Sequence, residues 1–171
     1  MMNNAAAQPI WDFVLGYYRQ AGVSEAAIAL QDSVGIDVNM ILFLMWLSGQ
    51  GKTLAEADMR KLGEASHNWQ SNVVVPIRNI RRLLKENAPF VAQDAALAYR
   101  KKVQAIEIEG EQLQLNAMAD AAKPASLNAA SSTEKAARDN LVTFAKVTGK
   151  TFPADAVEAF VRALAGALNG K

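Results

Sequence analysis

LQDSVGIDVNMILFLMW, residues Leu30 to Trp46, decides the fold. Five polar residues, Gln31, Asp32, Ser33, Asp37 and Asn39, lead into a run from Val38 to Leu47 that is apolar apart from Asn39. A membrane-crossing helix needs about 20 apolar residues, and Ser48-Gly49-Gln50-Gly51 ends this run far sooner. The stretch therefore reads as a helix buried in a globular core. Polar side chains at the mouth of such a helix need partners, because an unsatisfied buried group costs about 1–3 kcal/mol. They either cap and lock the core or build a small polar site at its edge, and the residues leave both open. Asp37 sits where its carboxylate would meet the free N–H groups and the positive dipole end of the helix.

Outward from this helix the signals stay helical. No segment keeps period-2 alternation, and Val73-Val74-Val75 stops at Pro76. Pro9 opens a helix carrying Ile10, Phe13, Val14 and Tyr17, which Gly22 stops. Ser24 is expected to cap a second helix, ended by Gly35. Thr53-Leu54-Ala55-Glu56 has the capping-box pattern and opens a helix towards Trp69. Pro76 starts or kinks a helix to Glu86, and Asn87-Ala88-Pro89 is a turn.

From Phe90 to about Ala119 one long helix carries Ala96, Tyr99, Val103, Ile106, Gly110, Leu113 and Ala117 in alternating steps of three and four. Such a seam packs lengthwise on another helix, with Gly110 allowing close approach. Ala121 to Ser132 is rich in Ala and Ser and reads as a linker. Ser131-Ser132-Thr133-Glu134 caps a helix to Val147, ended by Gly149, and Pro153 opens the last helix, with a stripe of Val157, Phe160, Val161, Leu164 and Leu168. The expected fold is all-α. It is a compact bundle of about seven or eight helices around the central helix 38–47, wrapped by a hairpin of Pro76–Glu86 and the long helix near 90–119. Residues 1–120 form the helical core domain, 121–132 a linker, and 133–171 a C-terminal helical pair packed on the core.

Lys+Arg 18 against Asp+Glu 17 leaves a net charge of +1, so no global field recruits nucleic acid or an anionic membrane. Zero cysteines exclude disulfides, thiol catalysis and thiolate metal sites, and fit a reducing cytoplasm. The N-terminus lacks the positive region of a secretory signal. The aromatic residues do not interleave with basic ones as a nucleic-acid stacking surface requires.

The densest same-sign charges are Arg78, Arg81, Arg82 and Lys85, at i, i+3, i+4 and i+7. They make one basic helix face opposite Ile77, Ile80 and Leu84. Arginine binds carboxylate or phosphate bidentately, so the face suits an anionic ligand or acidic partner; the plainer reading is a solvated face with local ion pairs. Four neighbouring like charges call for an acidic neighbour. A hairpin reversing near Ala88 would put Arg78 and Arg81 opposite Ala95–Ala98 and Asp94, with Asp32 and Asp37 as other candidates. The same reversal would put Glu107 and Glu111 opposite His67 and Trp69. A helical-bundle metal site draws Glu-x-x-His motifs from two helices, and this chain has one histidine; no metal and no cofactor are expected. His67 could act as a general base, but a lone histidine beside a tryptophan is more often a packed or half-exposed side chain. Gly49-Gln50-Gly51-Lys52-Thr53 resembles the end of a phosphate loop, yet it follows a helix rather than a strand, and Trp46 stands where the first glycine belongs. Met40, Leu44, Met45, Trp46 and Met59 read as core packing, with a pocket for a flat ligand as the rarer use.

Trp11, Tyr17, Gly22-Val23, Leu30-Gln31-Asp32, Gly35, Asp37-Val38-Asn39, Leu42-Phe43 and Trp46 together resemble an uncharacterised family of small proteobacterial proteins, a domain of unknown function. Trp69, Val74 to Arg78, Arg81 to Lys85 and Glu107 to Leu113 extend the resemblance, which covers roughly Trp11 to Leu115. It implies a cytoplasmic bacterial helical protein and supplies no activity. The expected function is a non-enzymatic interaction or adaptor protein with a protein partner. The alternative is a protein or enzyme for a small anionic or lipid-like ligand. Its site would lie between Gln31, Asp32, Asp37 and Asn39 and the stripe Arg78, Arg81, Arg82 and Lys85. A ligand protein needs a concave pocket with convergent polar groups; an adaptor needs an exposed apolar patch.

Overall fold

The computed structural model of the protein describes residues 9–86, 88, 90–122 and 127–169. Among the described residues are eight α-helices. They are α1 Ile10–Tyr18, α2 Val23–Val34, α3 Val38–Gly49, α4 Glu56–Trp69, α5 Val75–Glu86, α6 Gln93–Ala122, α7 Thr133–Thr148 and α8 Ala154–Asn169. Two-residue strands, β1 Lys52–Thr53 and β2 Asn128–Ala129, pair antiparallel, Lys52 with Ala129 and Thr53 with Asn128. The architecture is an all-α bundle.

Apolar on every side, α3 must be enclosed rather than laid on a surface. Met40 to Met45, Leu47 and Ser48 are all buried. Asp37 caps the helix, its Oδ1 accepting from the Asn39 N–H at 3.0 Å. α7 runs along α3, and α1, α2, α6 and α8 complete the enclosure. α5 does not wrap α3 as expected: it packs on α6 and buries none of its own residues fully. On the apolar side of α5, Ile77 and Leu84 are half-buried and Ile80 is half exposed.

The C-terminal helices share this core. Leu141 and Phe144 of α7 and Phe160 and Leu164 of α8 belong to the same apolar cluster as Ile41, Phe43 and Leu44. The Tyr17 hydroxyl donates to the Phe160 carbonyl at 2.8 Å. Asn140 donates to the Ser48 hydroxyl at 2.9 Å and the Lys52 carbonyl at 3.0 Å, and accepts from the Leu54 N–H at 3.0 Å. Asn140 thus satisfies the buried backbone of the α3–α4 connection.

Several boundaries differ from expectation. α1 ends at Tyr18, and Gly22, with φ of +85°, precedes α2; Ser24 lies inside that helix. Thr53 pairs in β1 instead of capping, because Asn140 and β2 hold the segment extended, so α4 starts at Glu56 after Ala55 without a side-chain cap. Pro76 neither starts nor breaks its helix. A π-helical segment, Gln70–Val74, joins α4 to α5, and the Val75 N–H bonds to the Gln70 carbonyl. This wider turn accommodates the proline, which lacks an N–H and crowds the preceding turn of a regular helix. α6 starts at Gln93, since Phe90 takes a φ of +64° and a left-handed residue cannot continue a right-handed helix. Asn87 and Pro89 of the expected turn and residues 123–126 of the expected linker lie outside the described residues. Among the described residues no helix is long and apolar enough to cross a membrane.

Candidate functional site

At the mouth of α3 four polar side chains from three helices close a ring. Gln114 of α6 donates to Asp37 Oδ2 at 2.8 Å, and its carbonyl oxygen accepts from Asn39 at 2.8 Å. The Ser66 hydroxyl of α4 donates to Asp37 Oδ2 at 2.9 Å and lies 2.7 Å from the Gln114 amide nitrogen. Burial pushes the Asp37 carboxyl upward, opposed by its bonds to Ser66, Asn39 and Gln114 and by the charge of Arg78. Partnered like this, polar groups tolerate an apolar surround.

Beside the ring, α5 and α6 are joined by charge. Arg78 donates to Glu107 at 2.8 Å and to Glu111 at 2.7 Å, and Arg81 bonds the other oxygen of Glu107. Arg78 and Glu107 are largely withdrawn from solvent. Burial raises the Glu107 carboxyl, but Arg81 and Arg78 outweigh it and hold the group below the usual carboxylate range. Glu111 goes the other way: burial dominates and pushes it upward despite Arg78.

The acidic neighbours of the stripe are therefore Glu107 and Glu111, not Asp94. Nor do these glutamates face His67. The chain leaves the helix at Glu86 and resumes it at Gln93, so the reversal is wider than a turn centred on Ala88. Both helices also lean their side chains towards their own N-termini, which brings Arg78 and Glu107 together. His67 is exposed on α4, 3.2 Å from the Ser71 hydroxyl, and Glu64 before it is exposed as well.

These groups border a cleft of about 590 Å³ between α1–α3 and the α5–α6 hairpin, within the range of small-molecule sites. Gln31, Asp32, Asp37, Asn39, Arg78, Arg81 and Arg82 all line it; Lys85 does not. The two halves of the site anticipated from sequence thus border one concavity. The rest of the lining is largely apolar, with Trp11, Leu15 and Tyr18 of α1, Ile28 of α2, Leu42 of α3 and Ile108 of α6, and Arg19 lines the cleft as well. Gln70, in the π-helical segment, lines it too, and its buried Oε1 has no hydrogen-bond partner among the described residues.

The apolar lining was not anticipated. Its signal is that Trp11, Leu15 and Tyr18 fall at i, i+4 and i+7, a second apolar face on a nine-residue helix whose Ile10, Phe13, Val14 and Tyr17 already meet the core. Tyr18 is partly exposed, and burial raises its hydroxyl pKa, with Glu111 adding to the effect. Arg82 and Arg19 make no side-chain hydrogen bond or ion pair among the described residues.

The fold and cleft define a small all-α domain whose polar and apolar residues converge on a ligand-sized concavity. Residues 9–118 match the family described as a protein of unknown function, DUF2390, and the chain belongs to that family. Every cleft-lining residue, from Trp11 to Leu115, lies within the matched segment, whereas α7 and α8 lie beyond it. No curated protein and no solved structure matches the chain.

Proposed function

We propose that the protein is a non-enzymatic binding protein whose cleft takes an amphipathic organic anion, an apolar chain or ring bearing a carboxylate or phosphate. The observation that carries this reading is the division within the basic stripe. Arg78 and Arg81 are held by Glu107 and Glu111, while Arg82 lines the same cleft with no anionic partner among the described residues. A cation and apolar side chains lining one cleft suit a ligand with one charged end, and charge-assisted bonds from arginine fix its orientation. Gln70 Oε1 adds an acceptor for a donor group on the ligand. The absence of cysteine accords with a cytoplasmic setting.

The test uses octanoate and hexyl phosphate as probes, titrated while tryptophan fluorescence is followed, since Trp11 lines the cleft. Binding should saturate, and an Arg19→Ala/Arg82→Ala variant should lose about tenfold in affinity with its melting temperature kept. If neither probe binds, or the variant binds as wild type does, the reading fails.

A protein–protein role has its own supporting observation. Ile80, Leu83, Tyr99, Ile106 and Leu113 of the hairpin are each about half exposed, which is the kind of apolar surface an adaptor needs.

A further inference from the structure

The long helix carries a heptad of which only half is covered. Ala96, Val103 and Gly110 are buried on the side of α6 that meets α5 and the π-helical segment. Tyr99, Ile106 and Leu113, the other half, are 58%, 54% and 53% exposed. Their spacing is seven and seven, so they form one straight row along the helix. A repeat of 3.5 residues sustained over three heptads is the pattern that packs a second helix lengthwise, and α5 occupies only one side of it.

The charges flanking the row indicate which helix covers it. Lys102 and Glu109 lie beside the row, both exposed and without an ion pair among the described residues. When two copies of α6 run antiparallel about a two-fold axis at Ile106, Ile106 meets itself and Tyr99 faces Leu113 of the second copy. Lys102 then faces Glu109 of the second copy, and Glu109 faces its Lys102. One symmetric arrangement pairs all three apolar positions and both charges. A parallel arrangement would need charged groups from the other flank of the seam, where Glu107 and Gln114 are buried and bonded within the chain.

We infer that the protein self-associates as a two-fold dimer through an antiparallel α6–α6 contact centred on Ile106. Such an interface is isologous and closed, so it ends at two copies. Gln104 and Ile108, which line the cleft, project from the other side of α6, two positions from Ile106 in either direction, so both clefts stay open in the dimer.

Sedimentation velocity over a wide concentration series tests this on the full chain. Wild type should approach twice its 18.4 kDa. Ile106→Asp should sediment as a monomer with unchanged helical circular dichroism. Lys102→Glu and Glu109→Lys should each raise the dimer dissociation constant about tenfold, since each replaces two attractive pairs by two repulsive ones. The Lys102→Glu/Glu109→Lys double variant should return to within about threefold of wild type. A wild-type monomer throughout would overturn the inference. So would a dimer indifferent to Ile106→Asp, or single charge variants that weaken association without rescue by the double variant.

Discussion

Gln114 donates to the Asp37 carboxylate at 2.8 Å across 77 positions of sequence, tying the middle of the longest helix to the cap of the most enclosed one. Asp37 is thus more than a cap, because removing it also takes an acceptor from the Gln114 amide and from the Ser66 hydroxyl. Asp37→Ala should cost about 2–3 kcal/mol, the loss of a cap plus a buried unsatisfied donor, eased by release of a desolvated charge. The urea midpoint would report it, and a midpoint equal to wild type would dismiss the role.

Arg78 and Arg82 sit four positions apart on one helix and should behave oppositely. Arg78→Ala leaves Glu107 and Glu111 short of a partner in a largely buried setting and should cost about 2–4 kcal/mol. Arg82→Ala should change stability by less than about 0.5 kcal/mol. Equal melting temperatures for the two variants would show that the Arg78 pairs contribute nothing to the fold.

Glu111 has a raised carboxyl in the folded state. Between the ordinary value of 4.5 and that raised value, the folded chain holds a proton that the unfolded chain has released. In that window stability falls as pH rises. Asp37 acts in the same sense from its ordinary 3.8 upward. Glu107 acts oppositely, its stabilisation being lost as pH drops through its lowered value. Glu111→Gln should therefore make the melting temperature fall less as pH rises above the ordinary 4.5. An identical slope in both proteins would contradict this.

Gly110 lies inside a helix, and a Cβ built there would meet Val74 Cγ2 at 3.8 Å, an ordinary contact. Space does not require glycine at this point of the seam, contrary to the expectation from its heptad position. Gly110→Ala should stabilise the protein by about 0.5–1 kcal/mol through helix propensity. A lowered melting temperature would mean that the Trp69 bond to the Gly110 carbonyl, at 3.0 Å, is disturbed.

A fragment ending at Ala122 would expose the α3 surface that Leu141, Phe144 and Phe160 cover. It should show no cooperative thermal transition. A sharp transition with native-like circular dichroism would instead mark α7 and α8 as a separable unit.

The helical class, the buried run at 38–47 and the Asp37 cap were legible in the sequence because each rests on local chemistry: periodicity, length and one side chain at one helix end. The grouping of Gln31, Asp32, Asp37 and Asn39 with three arginines was legible as a set of polar residues needing partners. Which partners was not, since Glu107 meets Arg78 only through the width of the reversal after Glu86. The exposure of Ile106 and Leu113 was hidden for a similar reason: a heptad shows that a helix has neighbours without showing how many belong to the same chain. Thr53 misled because a two-residue strand pairing with Asn128 overrode a good capping pattern.

α5 contributes no fully buried residue and is anchored to α6 by Arg78 and Arg81. The bonds that shape the cleft wall are thus the bonds that hold one helix of the hairpin in place. An anion that drew Arg81 away from Glu107 would weaken that anchorage by the amount it gained. By reciprocity, loosening α5 would free the guanidinium for the anion. If the cleft takes such an anion, its occupancy and the docking of α5 would be two readings of a single coupled equilibrium.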